Sequence, residues 1–584
     1  MRTARSTVRL GGWAVLLMAA GQAIGVSPAR ADDAKPAGAK SGAKADPVAV
    51  GSEIFHREWI PDDPRGHGGD GLGPSYNDTS CVACHNSGGS GGAGPVGKNI
   101  DILSASRNRF NNGNFIVQQA DAPAAGGQPA APRPNLDPLI DVHAGFKTSR
   151  TVVLHKFGTD PNYDAWREAA LRPRNAPRIL LSDGGVTQFV SDGVVTHIVD
   201  AASPVEETPT EFAGVVPDVM PPPALPAAMQ NPFAAMRPGP TAQRPRPLSP
   251  QSLVDARASN RLNQVRMAMF QGNPAAGPSL AVGEFVVARS QRNPTPLFGL
   301  GLIDAIPESA IVAISARESK ESPQTAGRVS RLKDGRIGRL GWKGQTANVE
   351  DFVLNACAVE VGLEVPDHHQ SISPLAPKYK TTGLDLTADE CTALVAYVRD
   401  LPRPAERPIV EAEGSIVLAS GREAFAKVGC TSCHAPKLGE VEGLYSDLLL
   451  HDMGQEMAES GSYNGGGSGD DDDEPLVPPA AVGIAAGTPA PRTAPALRGA
   501  NRQEWRTPPL WGFRDSAPYL HDGRAQTLEQ AVAMHGGQGS AAAQAFFALS
   551  PKERLALEGF LKSLVAPGPR PQLARAEGHP EAGE

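Results

Sequence analysis

GREAFAKVGCTSCH, residues 421 to 434, is the stretch from which the organisation of the whole chain can be worked out. It ends in two cysteines separated by two residues, Cys430 and Cys433, with His434 directly after them. This Cys-x-x-Cys-His pattern is typical of the attachment site of a c-type haem. Two thiols at this spacing can reach both vinyl groups of one porphyrin, and the imidazole that follows can bind the iron.

A second copy of the motif, CVACH, covers residues 81 to 85. Its thiols belong to Cys81 and Cys84, and its histidine is His85. The alternative interpretation is a pair of zinc knuckles or redox dithiols. The histidine that follows both cysteine pairs favours haem, so the sequence predicts two covalently bound haem c groups with His85 and His434 as iron ligands.

The composition is that of a loop-rich protein that carries cofactors. Glycine and proline contribute 63 and 55 of the 584 residues, and aromatic residues only 5%, so turns and linkers should occupy much of the chain. The length predicts two to four domains, or one heavily decorated pair. The net charge is −8 and no basic cluster is visible, which argues against nucleic acid as a partner.

Residues 1 to 31 have the three parts of a signal peptide: a basic start, an apolar run and a small-residue motif at residues 29 to 31. An uncleaved membrane anchor is the alternative, but the apolar run is short for a span and contains Gly and Gln. We therefore predict a periplasmic protein that does not span the membrane after cleavage. An oxidising compartment would also permit a disulfide between the two remaining cysteines, Cys357 and Cys391.

Other segments are predicted to be tails or loops from their composition. Residues 32–47 and 568–584 are polar tails that we expect to be disordered. Ala/Pro/Gly-rich segments at 119–136 and 202–250 are predicted surface loops or linkers. Residues 178–200 alternate like a β-hairpin and are interpreted as part of an insertion.

From about residue 290 onward, the chain repeats itself. TPLFG at 295–299 is matched by PPLWG at 508–512, and GWKGQTANVEDFV at 341–353 by LHDGRAQTLEQAV at 520–532, without a gap. Two later segments, 386–404 and 549–567, share an apolar stripe at helical spacing, and each begins with a predicted N-cap, Thr387 or Ser550. The helix before each haem motif carries matched residues: Gly51, Glu53 and Phe55 correspond to Gly421, Glu423 and Phe425.

This repeat predicts a mainly α protein with two class I cytochrome c-like domains in tandem. The first domain should cover residues 48–405 and carry long loop and β insertions at about 100–290, and the second should cover residues 412–567. Because the insertions belong to one repeat only, we expect them to lie next to one haem and the two haems to have different roles.

The chain resembles the bacterial di-haem cytochrome c peroxidase superfamily, and most of all its branch of di-haem oxidoreductases. The motifs that carry this resemblance are GDGLGPSYNDTSCVACH (69–85), LFGLGLIDAIP (297–307), GRLGWKGQTANVEDFV (338–353), YSDLLLHDMG (445–454) and TPPLWGFRDSAPYLHDGRAQTLEQAVAMHG (507–536). The resemblance implies that peroxide reacts at the N-terminal haem, while the C-terminal haem relays electrons from a small donor protein, a cytochrome c or a cupredoxin.

Three further residues acquire roles through the resemblance. Trp342 matches the tryptophan between the haems, with a core aromatic as the alternative. Glu360 approximates the catalytic glutamate, although its distance from Trp342 is two residues shorter than in the family, and a solvated helix residue is the alternative. His535 stands where the peroxidases have a methionine ligand, and an imidazole there should lower the reduction potential of the second haem. Met534, the residue next to His535, is the alternative ligand.

The resemblance also suggests a bound calcium ion, since calcium is common between the domains of the peroxidases. The acidic run from Asp470 to Glu474 lacks the ligand spacing of a dedicated calcium site. Calcium is therefore a secondary prediction.

The leading functional hypothesis is a periplasmic di-haem oxidoreductase that reduces hydrogen peroxide. One alternative is a di-haem oxygenase or protein-modifying oxidase, and another is a non-enzymatic electron-transfer cytochrome. The gap-free repeat places Ala356 where the second repeat has His535, so the first haem should lack a second histidine from this position and keep room for an oxidant. A histidine from the insertion, His143 or His155, could still close that position.

Overall fold

Helices dominate the regular structure in the computed structural model, which describes residues 46–107, 110–111, 114–115, 137–147, 149–171, 186–191, 194–200, 249–272, 280–282, 285–407, 414–459, 461 and 499–567. The α-helices of these residues are α1 Pro47–His56, α2 Cys81–Cys84, α3 Asp137–Ile140, α4 Tyr163–Leu171, α5 Pro250–Gly272, α6 Leu300–Asp304, α7 Glu308–Glu321, α8 Val349–Ala356, α9 Ala388–Arg399, α10 Gly414–Lys427, α11 Leu528–Ala533, α12 Ser540–Ala548 and α13 Pro551–Ser563. In this part of the chain, no helix is both long and apolar enough to cross a membrane.

The strands are short and mostly paired in twos. They are β1 Ser75–Tyr76, β2 Ile100–Arg107, β3 Phe110–Asn111, β4 Asn114–Phe115, β5 Thr151–Leu154, β6 Phe157–Gly158, β7 Val186–Ser191, β8 Val194–Asp200, β9 Leu280–Val282, β10 Phe285–Arg292, β11 Ala405–Glu406, β12 Lys437–Leu438, β13 Val441–Glu442, β14 Leu450–Asp452, β15 Glu504–Arg506 and β16 Leu564–Val565. Four of them form one sheet in the order β5-β2-β10-β9. The prediction of a mainly α chain with a β-containing insertion is confirmed.

One helix pair lies beside each Cys-x-x-Cys-His motif: α1, which contacts α2, packs on α9, and α10, which contacts the second motif, packs on α13. Each pair crosses at the glycine that the repeat predicts to be equivalent. A Cβ atom on Gly51 would lie 1.9 Å from the carbonyl oxygen of Ala393, and one on Gly421 would lie 2.2 Å from that of Ala556. Glycine is required at both crossings because any side chain would separate the helices.

We expect Gly51→Ala to destabilise the folded protein by about 1–3 kcal/mol, the usual cost of overpacking a tight contact. Gly97→Ala is the matched control, because a Cβ at Gly97 meets nothing within 4 Å. Denaturant unfolding of the haem-loaded variants measures the difference. Equal midpoints for the two variants would contradict the close helix crossing.

The repeat is visible in the local geometry of the matched segments. Isolated bridges join Leu340 to Thr346 and Tyr519 to Ala525, at equivalent positions of the two copies. The following helices α8 and α11 are capped by the equivalent residues Asn348 and Thr527. The N-caps predicted at Thr387 and Ser550 are also confirmed, and each forms a full capping box with a glutamate three residues later. One apolar core joins the two copies, since it contains Leu354 and Leu394 from the first and Leu444 and Trp511 from the second.

The insertion begins and ends on neighbouring strands. β2 and β10 are antiparallel, and Ile100 at the start of one is paired with Arg292 at the end of the other. A segment whose ends lie side by side can be long without disturbing the domain that carries it. The predicted hairpin is confirmed by β7 and β8, which pair antiparallel.

The expectation that the insertion lies next to one haem only is wrong. Helix α5, at the C-terminal end of the insertion, packs against α11 and α12 of the second copy. Its Arg261 forms an ion pair with Glu529 at 2.7 Å. Its Arg266 donates from Nε to the carbonyl oxygen of Ala533 at 2.6 Å, at the C-terminal end of α11, where a cation complements the helix dipole.

One domain boundary is corrected, and the two remaining cysteines are not bridged in this structure. Asp46 and Pro47, which the composition assigned to the disordered tail, belong to the start of α1, because the Asp46 carboxylate accepts the backbone N–H of Val48 at 3.1 Å and Pro47 suits the first turn of the helix. Cys357 and Cys391 are buried free thiols, so the disulfide is not formed in this structure. The predicted signal peptide, residues 32–45, 119–136, 202–248, 470–474 and 568–584 lie outside the described residues.

Candidate haem sites

The first candidate site is a cavity beside the Cys81–Cys84 helix, with an empty volume of about 930 Å³ that is partly open to solvent. Both thiols of the motif and His85 line it. The Ser80 side chain caps α2 by accepting the N–H of Ala83, which fixes the turn that carries the thiols. The Nδ1 atom of His85 lies 3.3 Å from the carbonyl oxygen of Gly92, so Nε2 is the nitrogen presented for metal binding.

The second candidate site is larger, with an empty volume of about 2130 Å³, and Cys430, Cys433 and His434 line it. His535, at the end of α11, also lines this cavity. The Nδ1 atom of His434 lies 2.9 Å from the carbonyl oxygen of Tyr445, and that of His535 lies 2.8 Å from the carbonyl oxygen of Ala531. The second cavity therefore contains the two predicted histidine ligands.

The residues present at both cavities fit haem. A backbone carbonyl on one ring nitrogen is the usual arrangement of a metal-binding histidine, because it fixes the ring and the tautomer. Burial lowers the pKa of His85 and of His434 to about 4 and also lowers the pKa of His535. Each imidazole is therefore neutral at physiological pH, the form that binds a metal.

Glu360 lies on the wall of the first cavity, in a π-helical turn, Cys357–Val361, that directly continues α8. Turns of this kind are frequent at functional sites because they displace side chains from the regular helical positions. The Nδ2 atom of Asn77 donates to Oε2 of Glu360 at 2.7 Å. The structure thus brings Glu360 and the first haem motif together, as the resemblance implied.

The wall of the first cavity also contains Ala356, the repeat equivalent of His535. Among its described lining residues, His85 is the only histidine. His155 instead contacts the backbone of Val359, and His143 lies against Trp166 and Phe146 in the insertion. The idea that His143 or His155 closes the site is not supported by this arrangement.

Trp342 lines both cavities. Its indole N–H donates to the carbonyl oxygen of Asn293 at 2.8 Å. Its ring meets His521, its repeat equivalent, edge to face with 6.4 Å between ring centroids. Trp342 therefore lies on the walls of both cavities, and its role in electron transfer between the haems stays a prediction.

Sequence reasoning missed Trp505. Its ring stacks on that of His521 at 3.8 Å, and the side chains of Arg292 and Lys343 lie over it at 4.9 and 3.7 Å. Trp505 lines the second cavity and lies two residues before the start of the motif TPPLWG. Its nearness to that motif is the signal that could have marked it.

A buried cluster of charges lies beside these aromatic rings. Glu459 accepts from Arg292 at 2.8 Å, contacts His521 at 2.9 Å and pairs with Arg524, which also pairs with Asp522 at 2.5 Å. Burial opposes ionisation of Glu459, but His521 and the two arginines hold its pKa below the usual value. Glu459, His521 and Asp522 are close enough to share a metal ion, yet the arginines already balance both carboxylates. The cluster therefore does not need the calcium ion that the resemblance suggested to balance its charge.

His451 also lines the second cavity, but its two ring nitrogens are engaged. Nδ1 lies 3.4 Å from Sγ of Cys433, and Nε2 lies 2.9 Å from Oδ2 of Asp447. Met534, the rival of His535, is 1% exposed and packs with Met269, Met457 and Trp505. Of these candidates, His535 is the one with the geometry of an iron ligand.

Each of the two cavities is lined by a Cys-x-x-Cys-His motif, and the ring of Trp342 lies on the walls of both. This arrangement is that of a di-haem redox protein. The family model described as "Di-haem oxidoreductase, putative peroxidase" matches residues 282–469 and 495–564. The resemblance predicted from the motifs is therefore confirmed over these residues. No curated protein matches the chain.

Two solved structures are similar to the chain at low scores. Hydrazine synthase from Kuenenia stuttgartiensis, pressurised with 20 bar xenon, is 21% identical, covers 57% of this chain and 98% of its own, and has a TM-score of 0.20. A MauG-like protein associated with microbial copper homeostasis is 17% identical, covers 45% of this chain and 90% of its own, and has a TM-score of 0.21. At such scores, neither likeness defines the fold or the function of this chain.

Proposed function

We propose that the protein is a periplasmic di-haem c-type oxidoreductase that reduces hydrogen peroxide at the first site with electrons relayed by the second. The observation that carries this proposal is the difference between the two cavities. The second is lined by two histidines with the geometry of iron ligands, His434 and His535. The first is lined by one, His85, and by a carboxylate, Glu360. The second site would therefore bind its iron through two imidazoles, and the first would leave a coordination position for a small oxidant.

In this proposal, Cys81, Cys84 and His85 hold the first haem, and Cys430, Cys433, His434 and His535 hold the second. Bound haem would supply the iron that coordinates peroxide and exchanges electrons. The overall reaction takes up two electrons and two protons per hydrogen peroxide and forms two molecules of water.

Glu360 supplies the proton chemistry of the reaction. Its carboxylate would accept the proton from one peroxide oxygen and donate it to the other, which leaves as water when the O–O bond breaks. Asn77 holds one carboxylate oxygen by a hydrogen bond, so the group is placed before the substrate arrives. Trp342, which lines both cavities, would shorten the path for electrons between them.

The proposal also includes the domain organisation and the electron donor. The repeat supports two cytochrome c-like domains, residues 48–405 and 412–567, with one haem in each. The electrons would come from a small periplasmic donor protein, a cytochrome c or a cupredoxin, that reaches the second haem.

The test measures haem content, ligand binding and turnover on the mature protein. We expect the denatured chain to keep two covalent haem equivalents, and one of the two oxidised haems to bind cyanide. Peroxide should be consumed when ascorbate and a redox mediator supply electrons. Fewer than two covalent haems would overturn the site assignment. If neither haem bound cyanide in any redox state, the protein would be an electron carrier, and cyanide binding without peroxide turnover would point to a different oxidase chemistry.

A further inference from the structure

Asn77 is the residue that connects the first haem motif to Glu360. It is 1% exposed and lies four residues before Cys81. Its backbone N–H donates to the carbonyl oxygen of Glu360 at 2.7 Å, and its Nδ2 donates to Oε2 of the same residue at 2.7 Å. One side chain and one backbone group therefore hold both the backbone and the carboxylate of Glu360.

The insertion fixes which way the Asn77 amide faces. The backbone N–H of Lys156 donates to Oδ1 of Asn77 at 3.0 Å. Because a backbone N–H can only donate, Oδ1 must face Lys156 and the NH₂ group must face Glu360. The strands on either side hold this register: β1 pairs with β6, with Ser75 opposite Gly158 and Tyr76 opposite Phe157.

The insertion also holds the π-helical turn itself. Nε2 of His155 lies 2.7 Å from the carbonyl oxygen of Val359, the residue before Glu360. The backbone of His155 is held in turn, since Tyr163 Oη and Arg167 Nε donate to its carbonyl oxygen at 3.1 and 2.7 Å. Two consecutive residues of the insertion therefore contact the turn that carries Glu360, directly or through Asn77.

We propose that Asn77 is a positioning residue for peroxide reduction, which holds the Glu360 carboxylate in the first cavity through an amide that Lys156 orients. The inference rests on the proposed function of Glu360. A hydrogen bond from a neutral amide steadies the carboxylate without neutralising it, so Glu360 remains able to accept a proton. In this proposal, residues of the insertion are part of the active site because they help to position Glu360.

Asn77→Asp tests this proposal with little change of shape. The new side chain can still accept the Lys156 N–H, but a carboxylate oxygen replaces the donor that faces Glu360. We expect kcat for peroxide to fall about 10²-fold, in the range of a lost acid–base contribution. The KM and the cyanide affinity of the first haem should change by less than about threefold, because Asn77 acts through Glu360 and not on the haem.

Asn348→Asp is the matched control. Asn348 caps α8, the helix that leads to Glu360, and its Oδ1 accepts the Asp351 N–H at 2.7 Å. An aspartate is an equally good cap, and this change also replaces the Nδ2 donor that faces the Asp351 carboxylate at 3.3 Å. It therefore repeats the chemical change of Asn77→Asp at the other end of this helical segment and should leave kcat within about twofold of the wild type.

The double variant Asn77→Asp/Glu360→Gln separates positioning from folding. The glutamine amide can donate to the new carboxylate, so the hydrogen bond is restored with reversed polarity, and thermal stability should recover while turnover stays lost. Normal turnover in Asn77→Asp, or a loss of cyanide binding together with turnover, would overturn the proposal for Asn77. Normal turnover in Glu360→Gln alone would instead overturn the proposed function.

Discussion

Glu360→Gln is expected to lower peroxide turnover by about 10²–10⁴-fold, the usual contribution of a general acid–base group. A glutamine has nearly the same shape and can still accept the Asn77 hydrogen bond that now lies at 2.7 Å. It cannot carry a proton between the two peroxide oxygens. Steady-state peroxide consumption measures the loss, and cyanide binding to the oxidised protein should remain at one haem per chain.

A second glutamate of the same helical segment provides the control. Glu350 lies in the first turn of α8 and is exposed, so Glu350→Gln makes the same chemical change away from the cavity. We expect its turnover to equal that of the wild type. If Glu360→Gln were as active as Glu350→Gln, Glu360 would have no part in the chemistry and the first cavity would need another proton donor.

The second large effect is expected for His535→Ala, which should raise the number of haems that bind cyanide from one to two. His535 lines the second cavity, and its Nδ1 atom is held by Ala531 O at 2.8 Å. Removal of this imidazole would leave the second iron with His434 alone. Its low-spin spectrum should become partly high-spin, and peroxide turnover should fall because electron delivery is disturbed.

Met534→Leu is the control for this experiment, because Met534 packs with Met269, Met457 and Trp505. Its spectrum and its cyanide stoichiometry should match those of the wild type. An unchanged second haem in His535→Ala would rule out the imidazole as a ligand. A methionine-sulfur charge-transfer band in the wild type would point to Met453, which also lines the second cavity.

Much of this organisation could be predicted from the sequence because it is encoded by short spacings. The Cys-x-x-Cys-His motifs identified the cavities that Cys81 and Cys430 line. The repeat predicted the caps at Thr387 and Ser550, since a capping residue and its helix are neighbours in the chain. It also predicted that Ala356 and His535 occupy equivalent walls of the two cavities, because the aligned segments contain no gap.

The tertiary structure alone decided how the insertion is used. Nothing local in the sequence links Asn77 to Glu360, which are 283 residues apart, or Lys156 to Asn77. Such contacts depend on how distant segments pack, and a single sequence carries no periodic signal for them. For the same reason, the sequence assigned the insertion to one haem, whereas α5 packs on α11, and its Arg266 lies 3.5 Å from the carbonyl oxygen of His535. Chain spacing determined which residues can hold the haems, and long-range packing determined which residues hold Glu360 in place.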